Sequence, residues 1–338
     1  MKQKWWFWGL GVLFIVVAVL ELSLGPVPIP FAQIPTGLWQ YVHGSRGINP
    51  VVLGDIRLPR LFVAALVGAG LAVTGAVLQA IFRNPLADPA IIGVSSGGAL
   101  GAVAVMEWGT ISAFSWLTPL TAFIAGLITM ELTYRLSTRN GQTSMYSLIL
   151  AGVAINAFTS ALISMILTLS PLETMQQMLF WLMGGLDGST WSHVWIIGGV
   201  VIVCVALLTF FSSEYDLISM GEEQAHGVGV HLQRVKRLTL LISALMVGVC
   251  VSFTGVIGFV GLMVPHVLRM LIGPAHRYLI PASALGGAIL LMAADLVARM
   301  AFLPLELNVG IVTSAFGAPF FLYLLSKQQQ GFTVKMRR

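Results

Sequence analysis

The stretch "LPRLFVAALVGAGLAVTGAVLQAIF" (residues 58–82) decides what kind of fold this chain can adopt. A helix needs about 20 mainly apolar residues to cross the hydrocarbon core of a membrane, and this stretch is long enough. Its small residues Gly68, Ala72 and Ala76 are spaced by four and line one helix face, which lets another helix approach closely. The stretch therefore predicts a membrane-spanning helix inside a tightly packed bundle.

The composition of the whole chain fits such a bundle. Of its 338 residues, 57% are hydrophobic and 9% are charged, whereas a soluble domain is about 45–50% apolar and about 25% charged. The net charge of +5 is explained by Lys and Arg in cytoplasmic loops, so it does not indicate a nucleic-acid partner. Cys204 and Cys250 both lie in apolar runs, which gives no sign of a disulfide framework. We therefore expect an all-α polytopic membrane protein.

The apolar segments predict ten transmembrane helices. Nine clear spans fall near residues 5–24, 58–82, 90–106, 115–135, 146–169, 192–211, 237–260, 279–298 and 309–326. The apolar stretch 261–275 is counted as a tenth, irregular crossing, because Pro265 and His266 interrupt it and the remaining helix is too short for a core of about 30 Å. Both termini are then cytoplasmic, with thirteen of the 18 Lys and Arg residues inside and four outside, as the positive-inside rule requires.

A weak internal repeat suggests two units of opposite orientation. "VGAGLAVTG" (67–75) and "VGVCVSFTG" (247–255) share Val, Gly, Thr and Gly, and Pro85 and Pro265 follow at the same offset of 180 residues. The second and seventh spans run in opposite directions, which is typical of the inverted repeats of transporters. Glycine-rich membrane helices also match by chance, so both explanations stay open. The predicted organisation is a single membrane domain over 1–338, with repeat units 58–169 and 237–326 and a cytoplasmic loop at 212–236.

Two arginines stand where local rules disfavour them. Arg57 and Arg60 lie at the predicted N-terminus of the second span, where cations oppose the helix dipole, and on the outer side, where basic residues are uncommon. Broken local rules indicate function, here guanidiniums offered to the carboxylates of an external partner. Contact with lipid phosphates is the alternative. Arg299 would emerge beside them, four residues after Asp295, and that pair is equally explained as a structural contact on one helix face.

Two polar segments stand out on the inner side. "FRNPLADP" (82–89) reads as a helix stop followed by a new start capped by Asp88, which predicts either a tight hairpin or a constriction at the inner mouth of a pathway. "SMGEEQAHGVGV" (219–230) predicts a short helix with Glu222 and Glu223 facing outward and with glycines at its end. This second segment is either a solvated loop or a docking element for a soluble partner.

These motifs together resemble the permease subunits of the iron-siderophore, heme and vitamin B12 ABC importers, a family of type II importers. The resemblance rests on "RLPR", "FRNPLADP" followed by "GVSSGG", "FWLMGGL", "GFVGLMVPH" and "ADLVAR", and it extends from about residue 50 to about residue 325. It implies ten helices per subunit and a homodimer that encloses a central path. It also implies two cytoplasmic ATP-binding subunits and a periplasmic or extracellular substrate-binding protein. The absence of a G-x-x-x-x-G-K-[ST] phosphate loop agrees with ATP and Mg²⁺ being bound by those ATPase subunits and with no cofactor on this chain.

The resemblance also implies the functional residues. Docking of the binding protein is expected at Arg57, Arg60 and Arg299. The ATPase coupling loop is expected at Leu217, Gly221, Glu222, Glu223, Ala225, Gly227 and Gly229. The cytoplasmic gate is expected at Asn84, Leu86, Thr143, Ser144, Met145 and Tyr146. The translocation path, along the fifth span, is expected at Asn156, Thr159, Ser160 and Ser164. Neither catalytic residues nor metal ligands are expected.

The expected function is therefore import across the inner (plasma) membrane by alternating access, without enzymatic activity of the chain itself. An iron chelate, either a ferric siderophore or heme, is the first choice of cargo and cobalamin is the second. Met175, Met178 and His193 near the outer mouth could contact heme, although packing explains such methionines as well. An ion-coupled secondary transporter would also show inverted repeats, but it usually needs acidic residues at the membrane midplane.

Overall fold

The computed structural model describes residues 2–45, 47–109 and 116–336, and these residues are almost entirely helical. The helices are α1 (Lys2–Ser23), α2 (Ile34–Val42), α3 (Ile48–Val51), α4 (Leu58–Ile81), α5 (Val94–Trp108), α6 (Leu117–Ser137), α7 (Met145–Leu169), α8 (Leu172–Leu182), α9 (Trp191–Phe210), α10 (Ser212–Met220), α11 (Glu222–Gly227), α12 (Leu232–Thr254), α13 (Val260–Ile272), α14 (His276–Met300) and α15 (Val309–Met336). A π-helical turn (Val52–Arg57) leads into α4, and a 3-10 turn (Pro89–Ile92) precedes α5.

Every apolar segment predicted to cross the membrane contains a helix, which confirms the all-α polytopic fold. Among the described residues, seven helical segments are long and apolar enough to span a bilayer: Gln3–Ser23, Ile48–Ile81, Leu117–Ser137, Met145–Leu169, Trp191–Phe210, Leu232–Thr254 and His276–Met300. Helices α5 and α13 are shorter. The count of ten crossings stays a prediction.

Helix α4 is the centre of the bundle. It packs against α14 on one side and against α9, α12 and α13 on the others. A Cβ atom added to Gly68 would collide with the carbonyl group of Gly287 on α14, and one added to Gly287 would collide with that of Gly68 and with Ala72. The two backbones are therefore in direct contact. The predicted small-residue face of this span is confirmed as a packing face.

The irregular crossing is broken at a different place from the one expected. Helix α12 ends at Gly255 (φ +68°), the chain runs without helix to Phe259 (φ +68°), and α13 then continues through Pro265 without interruption. Pro265 has no N–H to bond the carbonyl of Gly261, and Gly75 of α4 packs directly on that carbonyl. The expectation of a break at Pro265 is therefore wrong, since α13 continues through this residue while packed closely against α4.

The helix ends on the predicted cytoplasmic side, called the inner side below, are joined by tight turns. Asp88 accepts a hydrogen bond from the backbone N–H of Ala90 at 2.7 Å, so its predicted capping role is confirmed. Helices α6 and α7 are joined by a two-stranded hairpin, β1 (Thr138–Arg139) and β2 (Gln142–Thr143), whose turn residues Asn140 and Gly141 have φ of +50° and +75°. Asn-Gly favours such a turn because both residues tolerate positive φ.

The proposed internal repeat relates α4 to α12 by an offset of 180 residues, but equivalent residues do not lie at equivalent places in the two helices. Gly75 lies in the interior of α4, whereas Gly255 terminates α12. Pro85 lies in a turn, whereas Pro265 lies inside α13. The inverted repeat, and the two repeat units drawn from it, therefore stay predictions.

We predict that Gly68→Val lowers the free energy of unfolding by about 1–3 kcal/mol, because the larger side chain forces the backbones of α4 and α14 apart. The measurement is reversible unfolding in mixed micelles. Gly199→Val on α9 is the matched control, since nothing lies within 4 Å of a Cβ at that position, and it should change stability by less than about 0.5 kcal/mol. Equal stability of the two variants would contradict the packing.

Candidate functional site

Seven charged side chains meet at the end of the bundle that the sequence predicts to be outer, and we call them the outer charge cluster. They come from α1, the π-helical turn, α4, α14 and the two segments that precede α9 and α15. The cluster consists of Glu21, Arg57, Arg60, Asp187, Asp295, Arg299 and Glu306.

Asp295 lies at the centre of the cluster and its side chain is fully buried. Its carboxylate accepts hydrogen bonds from Nε of Arg60 at 3.0 and 3.1 Å, from Nη2 of Arg60 at 2.9 Å and from Nε of Arg299 at 2.9 Å. A carboxylate taken out of water is stable only when it is paired and hydrogen-bonded. The guanidinium of Arg60 therefore joins α4 to α14 through one buried anion, which Arg299 also binds from within α14.

Arg299 is 4% exposed and links α14 to the first helix. Its Nη2 donates to Oε1 of Glu21 at 2.8 Å, and the side chain of Glu21 is 2% exposed. The predicted i, i+4 pair with Asp295 is confirmed as a contact. It is part of a buried network that stabilises the attachment of α1.

Arg57 fastens the turn that follows α1. Its guanidinium, 5% exposed, donates to the backbone carbonyls of Leu22 and Val27. A Cβ atom added to Gly25 would lie 2.7 Å from Nη2 of Arg57, so the turn wraps closely around the guanidinium. The charge of Arg57 is thus satisfied by carbonyl groups within the chain.

The expectation that Arg57 and Arg299 offer free guanidiniums on the outer surface is wrong for this structure. Both are buried because the C-terminal end of α1 supplies acceptors, Glu21 and backbone carbonyls, which the local pattern around residue 57 did not reveal. Their part in docking stays a prediction, and within the chain they hold the outer end together.

Arg60 differs, because its Nη1 is paired with side chains that reach solvent. Asp187 lies 3.0 Å and Glu306 3.1 Å from this nitrogen, and their side chains are 62% and 32% exposed. Burial of the carboxyl group, together with the neighbouring carboxylate of Glu306, raises the pKa of Asp187 despite the guanidinium. Neither acidic partner was expected from the sequence, since each lies on a loop far from Arg60 in the chain.

On the inner side, α10 and α11 form a compact element that is fixed to the long helices. Nζ of Lys236, a side chain only 2% exposed, lies 2.7 Å from Oε2 of Glu222, and Arg83 of the α4–α5 turn lies 3.9 Å from the same carboxylate. The expectation that Glu222 faces outward is therefore wrong, because a buried lysine requires an anion. Glu223 is exposed as expected, and Ala225 is the fully buried residue of α11.

Asp216 fixes α10 to the start of α14. Its Oδ1 accepts hydrogen bonds from the backbone N–H of His276 at 2.9 Å and from Nδ1 of the same residue at 2.6 Å. Burial alone would raise the pKa of Asp216, but these hydrogen bonds hold it below its usual range. Tyr215 and Thr239, both buried, add a 2.8 Å hydrogen bond between α10 and α12. Nothing in the local sequence pattern indicated these contacts beyond the polarity of the residues.

The solvent-exposed surface of α10 and α11 carries two apolar side chains that were not predicted from the sequence. Met220 is 73% exposed and Val228 is 66% exposed, and they flank α11 beside the exposed Glu223, Gly227 and Gly229. A contiguous exposed apolar patch with a polar rim marks an interaction site, and these two side chains are candidates for part of one. Leu217 and Gly221 are partly buried behind them.

The gate residues are divided between two segments on the inner side. Asn84 and Leu86 are exposed in the turn after α4, where Oδ1 of Asn84 accepts a hydrogen bond from the N–H of Leu86 at 2.9 Å. Ser144 caps α7 by accepting from the N–H of Ser147 at 3.3 Å, and Tyr146 is 77% exposed in the first turn.

Two gate residues point away from the surface. Thr143 is buried, with its N–H bonded to Oε1 of Gln233 at 3.0 Å, and Met145 packs against the core. The expectation that Thr143 lines a gate is wrong, because it belongs to the hairpin contact with α12. Within the described part of the chain, no hydrogen bond or ion pair joins the Asn84 turn to the segment 143–146.

Helix α7 exposes a broad face with a stripe of small and hydroxyl side chains. The members are Val153, Ala157, Ser160, Ser164 and Thr168, at helical spacing, with Tyr146 at the inner end. Ser160 and Ser164 are exposed as expected. The stripe contains no charge.

The two other path residues face inward. Thr159 is 3% exposed and donates its hydroxyl to the carbonyl of Ile155 at 2.9 Å, so the expectation that it lines a path is wrong. Asn156 is half-buried, accepting from Oγ of Ser96 at 2.5 Å and donating to the carbonyl of Ala90 at 3.3 Å. It attaches α7 to α5 and to the 3-10 turn, and only part of it reaches the exposed face.

Two of the three candidates for heme contact near the predicted outer mouth, Met178 and His193, pack against neighbouring side chains, whereas Met175 is partly exposed. Met178 is fully buried on α8, and its sulfur accepts from Oγ of Ser170 at 3.8 Å. His193 stacks against Phe253 and meets Trp116 edge-on, with ring centroids 4.8 and 5.8 Å away. The packing explanation is therefore correct for Met178, and His193 belongs to an aromatic contact between helices.

Comparison with known proteins agrees with this arrangement over almost the whole chain. The family model described as the FecCD transport family matches residues 13–327. The chain belongs to the FecCD transport family. It is 40% identical to the hemin transport system permease HmuU of Yersinia pestis, over 95% of this chain and 96% of that one. It is 39% identical to the cobalamin import system permease BtuC of Halobacterium salinarum, over 96% of both chains.

A solved structure supports the same family. A chain described as an inward-facing metal-chelate type ABC transporter superposes with a TM-score of 0.84 at 33% identity, covering 96% of this chain and 99% of that one. As a FecCD member, this chain is a permease of an ATP-binding-cassette importer, a multi-pass membrane component. The recognition made from the sequence motifs is confirmed.

We predict that Arg299→Gln lowers the free energy of unfolding by about 3–5 kcal/mol, because it leaves Glu21 and Asp295 buried with less compensation. The double variant Glu21→Gln with Arg299→Gln should cost at least about 0.5 kcal/mol less than the sum of the single changes. Unfolding in mixed micelles measures all three.

Arg135→Gln is the matched control for this cycle. Arg135 pairs with Glu131 at 2.6 Å, one helical turn away on the same helix, as Arg299 does with Asp295. The side chains of Arg135 and Glu131 are, however, 76% and 45% exposed. Losing that pair should cost less than about 0.5 kcal/mol. If the buried and exposed pairs proved equally costly, the outer charge cluster would not be the structural element described.

Proposed function

We propose that this chain is one of two identical permease subunits that together import an iron chelate, a ferric siderophore or heme, by alternating access. The observation that carries the proposal is the exposed, uncharged face of α7, with Ser160 and Ser164 on it. A bulky cargo needs a wide path that binds it weakly. Two copies of this face, opposite one another, would line such a path, and Tyr146 would stand at its inner end.

The energy source in this proposal is a pair of separate ATPase subunits, which bind the ATP and Mg²⁺. They would dock on the apolar surface formed by Met220 and Val228, close to Glu223. Glu222 of α11 is bonded to Lys236 of α12, and Asp216 of α10 is bonded to His276 of α14. A force applied to α10 and α11 would therefore move α12 and α14 together with them. This orientation makes the Met220 side, and both termini, cytoplasmic.

The cargo is inferred from relatives that differ in name. Permeases similar in sequence include a hemin and a cobalamin system at 40% and 39% identity, so cobalamin is the alternative cargo. An ion-coupled mechanism finds less support. The buried carboxylates Glu21 and Asp295 lie at the outer ends of their helices and are paired with Arg299, whereas ion-coupled transporters place acidic residues at the membrane midplane.

The experiment that tests the cargo is uptake into proteoliposomes that contain the permease, its ATPase subunits and internal ATP. Heme, a ferric siderophore and cobalamin are each supplied with a matching binding protein. We expect uptake of an iron chelate, and uptake of cobalamin alone would select the alternative. Failure of all three cargoes, with an assembled complex, would contradict the proposed function.

We predict that Met220→Ser combined with Val228→Ser weakens binding of the ATPase subunit by about tenfold or more, because burial of the two apolar side chains is lost. Titration of the purified ATPase onto nanodisc-embedded permease measures the Kd. The matched control is Val42→Ser, which changes an equally apolar side chain, 79% exposed, on α2 near the outer end. The same Kd for both variants would exclude this surface as the docking site.

A further inference from the structure

The outer charge cluster has two parts that differ in how easily they can open. Nε and Nη2 of Arg60 bind the fully buried Asp295, which also accepts a hydrogen bond from Arg299. Removing that anion would deprive two largely buried guanidiniums of the partner they share. Nη1 of the same side chain binds Asp187 and Glu306 instead, at 3.0 and 3.1 Å. Only this third nitrogen is held by carboxylates that already reach water.

Releasing Asp187 and Glu306 from Arg60 costs little. Both carboxylates already reach water, which can solvate them once they leave the guanidinium, and two carboxylates on the same nitrogen repel each other. The guanidinium itself does not need to move, because Asp295 holds its other two nitrogens. One face of Arg60 can therefore exchange its partner while the side chain stays in place.

The two exchangeable carboxylates lie on segments that are fastened to one another. Nδ2 of Asn308, two residues after Glu306, donates to the carbonyl of Phe180 at 2.6 Å, and the N–H of Gly310 donates to the carbonyl of Gly184 at 3.1 Å. The segment that carries Asp187 and the segment that carries Glu306 thus form one surface over Arg60.

We propose that Asp187 and Glu306 are built-in competitors for Arg60, and that a carboxylate of the docking substrate-binding protein displaces them from its Nη1. This inference rests on the proposed function, since it assumes that the outer end receives a binding protein. It makes Arg60 the contact guanidinium of the chain, whereas Arg57 and Arg299 are positioning residues. The free permease then holds its docking site closed by an internal ion pair.

The experiment compares docking affinities for the substrate-binding protein of the same transport system, on permease–ATPase complexes in nanodiscs. The variant Asp187→Asn with Glu306→Gln should bind it about fivefold more tightly than the wild type, because docking no longer breaks the internal pair. Glu173→Gln, another exposed carboxylate on the outer side, at the start of α8, is the matched control and should bind as the wild type does. If Asp187 and Glu306 instead attracted basic residues of the binding protein, neutralising them would weaken docking.

The outcomes separate this inference from the proposed function. If the variant Asp187→Asn with Glu306→Gln docks no more tightly than the wild type, while Arg60→Gln loses docking, then Asp187 and Glu306 do not compete for Arg60. If Arg60→Gln docks as the wild type does, while its ATPase complex stays assembled, both the competition and the assigned docking site are wrong. If the wild-type complex binds no binding protein at all, the proposed function fails first.

Discussion

The buried carboxylate of Asp295 is the constraint on which the outer end of this permease depends. A charge at a fully buried position has to be matched, and Arg60 and Arg299 match it from two different helices. Arg299 then needs Glu21, which attaches the first helix. The direct backbone contact between Gly68 and Gly287 brings α4 and α14 close enough for this pairing.

The inner end follows the same physical rule with different residues. Lys236, buried between α11 and α12, requires Glu222, and Asp216 satisfies the first N–H of α14 through His276. Rigid attachment at this end, and the exchangeable contact proposed at the other, would suit a permease that receives a binding protein on one side and a push from ATPase subunits on the other. Between them, α7 offers an exposed face without charge.

Much of the fold could be predicted from the sequence, because apolar length and small-residue spacing are local properties. Gly68 and Ala72 were correctly placed on a packing face, and Asp88 was correctly placed at a helix start. The direction of individual side chains was harder to predict, since it depends on distant partners. Arg57 was expected to face solvent, yet carbonyl groups more than 25 residues earlier in the chain bind it.

The most direct test of the account is whether this chain moves cargo only as part of a powered assembly. Uptake should be measured in liposomes that contain the permease alone or with its ATPase subunits, with ATP or with a proton or sodium gradient. The account predicts uptake only with the ATPase subunits and ATP, and no change when ionophores collapse the gradients. Gradient-driven uptake by the permease alone, abolished by an ionophore, would contradict it.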